Sequence, residues 1–313
     1  MKILKRRKLL KMIKNKVKKI MFLSVMALSN LVFAVNENNI KNIDMSIFGN
    51  DKSINIQPLQ TYEKIKNSAG EVNISKEYNS ISQDYREKYI ILHYTAVGRE
   101  GSIRALTGRN VSSHYLVSDR IEDPIYSLVP TEKRAWHAGA SAWKTRNNLN
   151  DTSIGIEIVN LGPVNGVYEP YLPFQMENVA VLVKYLVDKY DVPAENILGH
   201  SDIAPGRKSD PGPMFDWKML YEKYNLGMWY DETAVENYKT MYAETFETIP
   251  VSDIQAELKK FGYGIDITGA WDKQSKSVIT AFQHHFRPAN YDGVMDIETY
   301  SILKSLNDKY NKK

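Results

Sequence analysis

Three residues of this chain are of the types that together hold a catalytic metal. His93 ends the apolar run Tyr89-Ile90-Ile91-Leu92, and His200 ends the run Ile197-Leu198-Gly199. Asp210 follows in the segment His200-Ser-Asp-Ile-Ala-Pro-Gly-Arg-Lys208-Ser-Asp210-Pro-Gly. Two imidazoles and one carboxylate make a three-ligand zinc site with the fourth position open for water. Water at such a position has its pKa lowered towards ~7, which makes a nucleophile at neutral pH. Pro and Gly around Asp210 fix an irregular loop that could hold a ligand in place. Glu157 sits among isoleucines, on the opposite side of its strand from them. It is either a solvated edge charge or a general base beside a metal water, later an acid for a leaving amine. Lys208 lies two residues before Asp210, so an extended segment points both the same way. It is either a surface lysine or a cation that stabilises an oxyanion.

The other candidates are weaker. His114 follows a Ser-Ser pair on a strand, and a supporting role fits it better than ligation, since three ligands are already found. Trp136, His137 and Trp143 cluster in a Gly-containing loop, and the tryptophans read equally as core or as the wall of a binding groove. Arg207 could meet a carboxylate by a bidentate bond. His284 and His285 read as surface residues of a helix.

These residues need elements to carry them. Tyr89–Leu92 reads as a buried strand and 111–118 as a second. Along 153–159, Ile154, Ile156 and Ile158 face one way while Gly155 and Glu157 face the other. Residues 174–190 carry a helical stripe of Val179, Leu182, Val183, Leu186, Val187 and Tyr190, which Pro193 brings to an end. Strands mixed with helices predict an α/β domain over 85–228. Residues 229–248 read as a linker. Residues 249–309 predict three short helices, with apolar registers Ile254/Leu258/Phe261, Val278/Phe282/Phe286 and Ile302/Leu303/Leu306. A repeat, Gly269-x-x-Asp272-x-x-Ser275 and Gly293-x-x-Asp296-x-x-Thr299, supplies a turn and a helix cap twice.

Composition bounds the rest. The chain has 313 residues, 43% hydrophobic and 25% charged, enough for a sizeable core. It has no cysteine, which excludes thiol nucleophiles, disulfides, Cys-ligated metals and a lipid-modified cysteine anchor. The formal charge of +4 hides an asymmetry. Residues 1–34 hold ten Lys/Arg and no acid, and 35–313 carry a net −6, so no basic stripe for nucleic acid is expected. The basic run through Lys19, the apolar run 20–33 and the small residues before Val35 follow the order of a secretory signal peptide over 1–34. The mature chain is expected to be exported, to the periplasm or cell envelope, without a transmembrane domain. Residues 35–84 form an N-terminal lead-in of no readable role.

The segments Ile91-Leu-His93-Tyr-Thr-Ala96, Ser112-Ser-His114-Tyr-Leu-Val117, Ala135-Trp-His-Ala-Gly139, Asn150-Asp-Thr-Ser-Ile-Gly-Ile-Glu157 and His200–Pro213 resemble, in order, the zinc-dependent N-acetylmuramoyl-L-alanine amidases. The fold is shared with T7 lysozyme and the peptidoglycan recognition proteins. The likeness is to the periplasmic branch that accepts 1,6-anhydro-muramoyl peptides and carries a peptidoglycan-binding domain with a segment like Phe282–Pro288. The resemblance implies His93, His200 and Asp210 as zinc ligands, Glu157 as base and Lys208 as oxyanion partner. It implies a mixed β-sheet flanked by helices, plus a small all-α three-helix domain. Where some relatives have a Tyr, this chain has Ser113. The implied partners are peptidoglycan and muropeptides, with Trp136, His137, Trp143 and Arg207 as candidate substrate contacts. The helical domain is expected to act as a wall-binding tether, and a monomer is the default.

Three rivals stand beside that reading. A non-catalytic recognition module would need no complete ligand set. A glycosidase would need paired carboxylates. A zinc peptidase uses the same metal–water chemistry on another amide, and with the glycosidase it forms the second rival, a hydrolase of another wall bond. The third, a structural wall-anchor protein, would need no Glu157.

Overall fold

In a computed structural model the protein is described over residues 62–78 and 80–311. The signal peptide expected at 1–34 lies outside those residues. The chain divides into two compact units at Ile81/Ser82. In the first, β1 (Tyr62–Asn67) and β2 (Gly70–Ser75) form an antiparallel hairpin. Its side chains are mostly exposed.

The second unit is built on a five-stranded sheet. Its strands are β3 (Tyr89–Tyr94), β4 (Tyr115–Val117), β5 (Tyr126–Ser127), β8 (Ser153–Ile158) and β11 (Ile197–Gly199). The order is β11-β3-β8-β4-β5, parallel except for the edge strand β5. Parallel strands are covered on both faces, and Ile90, Ile91, Leu92, Ile154, Ile156 and Ile158 are all fully buried. Helix α1 (Arg99–Leu106) follows β3. Short ribbons β6 (Ala142–Trp143) with β7 (Arg146–Asn147), and β9 (Pro163–Val164) with β10 (Val167–Tyr168), decorate the loops around β8. The second predicted strand shrinks to Tyr115–Val117. Its first residues are diverted, because the Ser112 hydroxyl accepts from the Trp136 backbone N–H at 2.9 Å.

Helix α2 (Pro173–Tyr190) matches its expected span, with Pro at its first turn and the buried stripe on Met176, Val179, Ala180, Val183 and Leu186. The four-residue α3 (His200–Ile203) continues directly from β11. After it come α4 (Trp217–Tyr224), α5 (Glu232–Tyr242), α6 (Val251–Phe261), α7 (Lys273–Phe286) and α8 (Ile297–Tyr310). The predicted repeat is structural. Asp272 accepts from the Ser275 N–H and Asp296 from the Thr299 N–H, each at 2.8 Å. Gly269 and Gly293 adopt positive φ, as their turns require. Gln255 and Gln283 brace the two turns identically, each accepting the glycine N–H at 2.8 Å.

Two expectations about this half are corrected. The stretch read as a linker, 229–248, contains α5, capped by Asp231 and packed on α8 through Tyr242–Tyr300 and Tyr238–Asp308. The helical half and the sheet half share one continuous core. Trp143 of β6 is fully buried against Phe261 and Tyr263. A Cβ at Gly262 would lie 2.7 Å from its ring, so only glycine admits that approach. His284 and His285, read as surface, are buried. His285 stacks on Trp217 at 3.8 Å and donates from Nδ1 to Asp202 Oδ2 at 2.8 Å. Tyr263 donates to Asp202 Oδ1 at 2.7 Å.

Candidate metal centre and active-site pocket

Sheet register assembles the site. In the parallel pair β3–β8, His93 lies directly beside Glu157. Gly199 of β11 pairs with Leu92, so His200, the next residue, arrives beside His93 from the other side. Asp210 is brought back by its loop, and its carbonyl accepts the Ser201 N–H at 2.8 Å. The Tyr171 hydroxyl ties the Pro211 carbonyl at 2.8 Å.

Three side-chain atoms then converge. His93 Nδ1 lies 2.8 Å from Asp210 Oδ2 and 2.9 Å from His200 Nδ1, and His200 Nδ1 lies 2.9 Å from the same Asp210 oxygen. All three residues are buried. Among the described residues this is the group of His and carboxylate side chains placed to hold a metal ion.

Hydrogen bonds behind the ligands decide which ring nitrogens carry protons. His200 Nε2 faces the Ala138 carbonyl at 3.1 Å, which can only accept, so Nε2 is the donor and Nδ1 presents a lone pair. On the His93 side the chain is longer. Ser153 Oγ donates to the Leu149 carbonyl at 2.6 Å, so it can only accept from His137 Nε2 at 3.2 Å. His137 Nδ1 is then an acceptor, and takes the proton on His93 Nε2 at 3.0 Å. His93 Nδ1 is left with a lone pair. Two imine nitrogens and a carboxylate oxygen thus meet within 3 Å, which is repulsive unless a cation sits among them. The donor set suits a borderline metal such as zinc.

Burial and the neighbouring His200 ring push the His93 pKa down to about 4. Burial also drives His137 well below the usual histidine range. Burial raises Glu157 well above its ordinary range; Asp210 adds to this and Lys208 opposes it. Glu157 Oε2 is buried with no hydrogen-bond partner. The pocket over these groups has a volume of about 210 Å³. Its lining includes Glu157, Lys208, Trp136 and His137 with the three metal-site residues.

The structure sorts the weaker candidates. Trp136 is 51% exposed at the pocket and stacks under the Arg134 guanidinium at 4.0 Å. Trp143 belongs to the core, because the helical half covers it, and lines no groove. His137 stands behind His93. His114 is buried, donating from Nε2 to the Lys133 carbonyl and accepting the Gly155 N–H at Nδ1, both at 3.0 Å. Arg207 donates to the Ala138 and Ala140 carbonyls at 2.6 and 2.8 Å, with its exposed edge on a neighbouring cleft. Ser113 is buried with its hydroxyl unpartnered.

Three supporting residues escape a reading by residue type. Ser153 ends the His93–His137 chain. The Asn150 side chain accepts the His137 and Ala138 N–H groups at 3.1 and 2.7 Å. Gly155 makes room, since a Cβ there would lie 2.5 Å from the His137 ring. A glycine inside a buried strand is itself the signal for such close approach.

Comparison with known proteins agrees with this geometry. Residues 83–213 match the N-acetylmuramoyl-L-alanine amidase profile, and 249–303 match a peptidoglycan binding domain profile. The chain is 39% identical over 238 residues to the N-acetylmuramoyl-L-alanine amidase AmiD of Escherichia coli K12, covering 72% of this chain and 84% of that protein. The crystal structure of AmpDh3 from Pseudomonas aeruginosa superposes with a TM-score of 0.72 at 39% identity, covering 77% of this chain and all of that one. The E. coli AmiD structure, a complex with anhydro-N-acetylmuramic acid-L-Ala-D-γ-Glu-L-Lys, gives 0.68 at 36% identity, covering 77% and 96%. The chain belongs to the N-acetylmuramoyl-L-alanine amidase family and is a hydrolase of the amide between the muramic lactyl group and L-Ala of the stem peptide.

Proposed function

We propose that this amidase is a zinc enzyme whose metal is held by His93 Nδ1, His200 Nδ1 and Asp210 Oδ2, and that it acts outside the cytoplasm on wall-derived muropeptides. The convergence of three proton-free donor atoms carries the reading. Zinc, when bound, supplies Lewis acidity towards the scissile carbonyl and lowers the pKa of water. The catalytic unit spans 85–228 and the wall-binding unit 249–309. Residues 1–34 direct export. That solved relatives carry anhydro-muramoyl peptides favours 1,6-anhydro forms among the substrates.

Glu157 is the proton carrier. Its free oxygen faces no protein donor, so it is available to water and substrate. Its raised pKa suits a group that takes a proton from the attacking water and returns it to the leaving L-Ala nitrogen. Lys208 lines the same pocket, and among the described residues it has no ion-pair partner, leaving its charge for the carbonyl oxygen as negative charge grows there. His137, Ser153 and Asn150 fix the His93 ring, and the Ala138 carbonyl fixes His200. The protein incubated with isolated peptidoglycan should produce new L-Ala amino termini, lost on chelation, restored by zinc and absent in Glu157→Gln. New termini at other residues would make it a peptidase and reducing ends a glycosidase. Binding without any new ends would leave a recognition module.

A further inference from the structure

Lys208 stands on an exposed stretch, Gly206–Lys208, between the buried Ala204 and the buried Asp210. A cation serves a developing oxyanion only if its loop is held to about 0.5 Å. Asp210 has its own anchors, at its carbonyl and at that of Pro211. On the near side, the Arg207 and Lys208 N–H groups both donate to the Ala204 carbonyl at 3.1 Å. Ser209 lies between the two functional side chains, and three separate elements hold it.

The Ser209 hydroxyl lies 2.6 Å from the Tyr94 hydroxyl of β3, and it also hydrogen-bonds Tyr168 of β10. Tyr94 directly follows the metal-site residue His93. Both tyrosines are seated against glycine. A Cβ at Gly162 would lie 2.8 Å from the Tyr94 ring, and one at Gly212 would lie 2.9 Å from the Tyr168 ring. The Ser209 main chain hydrogen-bonds the ring of His284, on α7 of the helical half. That ring is buried, with Nδ1 unpartnered, and stands edge-on to Tyr168 and Tyr291 at 5.5 and 5.1 Å. Helix α7 also meets the loop at Gly206, where a Cβ would lie 2.7 Å from Ser277 Oγ. Ser277 and His284 are about two helical turns apart and so share one face. That face of α7 touches both ends of the stretch that carries Lys208.

We propose that Ser209 and His284 are positioning residues for the amidase reaction: Tyr94 holds the Ser209 hydroxyl, His284 holds its main chain, and together they fix the turn that presents Lys208 to the active-site pocket. The inference rests on the oxyanion role of Lys208. Neither residue touches substrate, and each acts through that lysine. A looser Lys208 stabilises the transition state less while substrate binding is kept, so the loss falls on kcat rather than KM. Zinc affinity is kept as well, because Asp210 is tied through Ser201 and the Pro211 carbonyl independently of Ser209. The helical half is then part of the frame that aims a catalytic charge.

In the full protein, Ser209→Ala should lower kcat about tenfold, with KM and zinc affinity, read by competition with a chelator, kept within about twofold. Ser209→Thr, which retains the hydroxyl, should restore the rate, and Tyr94→Phe should reproduce the loss. His284→Leu should lower kcat by about threefold, again with zinc affinity kept. The deciding measurement is a double-mutant cycle with Lys208→Ala. If Ser209 and His284 act through Lys208, replacing either costs less than about twofold once that lysine is gone. An undiminished loss in the Lys208→Ala background overturns the proposal. So does full activity in Ser209→Ala, or a fall in zinc affinity that matches the fall in kcat. Full kcat in Lys208→Ala itself would instead remove the oxyanion role, and the proposal with it.

Discussion

The molecule contains two buried His–carboxylate clusters, one on each side of α3. His200 begins that helix and enters the metal centre, while Asp202, two residues on, turns into the seam with the helical half. In the seam the contacts made by Asp202 each pair a donor with an acceptor, and His285 Nε2 on the far side of its ring is left without a partner. Asp202 accepts from Tyr263 at 2.7 Å, and from His285 and the Gly199 N–H at 2.8 Å each. At the metal centre the facing atoms are three acceptors, and Glu157 Oε2 stands alone nearby. Residue type and burial are the same in both. The balance of donors and acceptors separates a structural cluster from a reactive one.

The sharpest way to break this contrast is to remove one member of each. His200→Ala should take amidase turnover to background while leaving the melting temperature of the chelated protein nearly unchanged. Asp202→Ala should do the reverse in kind, costing about 3–5 kcal/mol of stability by stranding His285 and Tyr263, read by denaturant unfolding. Equal stability losses in the two variants would erase the distinction. Next in size, Glu157→Gln should lower kcat by roughly 10²–10⁴-fold. The sign of its effect on stability is opposite to that of Asp202. A carboxyl whose folded pKa lies above its unfolded value binds its proton more tightly when folded. Its contribution is therefore complete below the unfolded pKa and lost as pH rises through the folded one. The Gln variant of the metal-free protein should thus melt higher than the parent at neutral pH, and the two should converge in acid. Smallest is His137→Ala, which should weaken zinc affinity by about 10–100-fold, measured by competition with a chelator, while leaving the seam and its stability contribution in place.

Two of the three candidate metal ligands were legible because His93 and His200 each close an apolar run, and a strand end is a readable place, whereas Asp210 stands in a Pro/Gly loop. The neighbourhood of Glu157 and His93 was not legible, since it depends on the register of β8 against β3, strands separated by the whole of 95–152. The tautomer-setting chain was hidden for a similar reason. Ser153 and Asn150 are ordinary polar residues until folding places them behind His137. In the helical half, residue type misled where position would not have. His285 lies three residues after Phe282 and one before Phe286, on the inward stripe, yet its polarity suggested the surface. Helix α5 was missed because only Val235 is buried along it, so it shows no apolar period to read. Trp143 could be settled only by seeing that Phe261 and Tyr263 cover it.

The shared core has a mechanical consequence. Two bodies on a leash sample a cloud of relative positions, and one can grip while the other wanders. Here catalytic mouth and wall-gripping helices are cast as one piece, held by Trp143, Phe261 and the Asp202 seam. Wherever the helices land, the mouth faces one bearing at one reach. Bonds at that offset meet it at once, and all others wait for the whole protein to let go and land again.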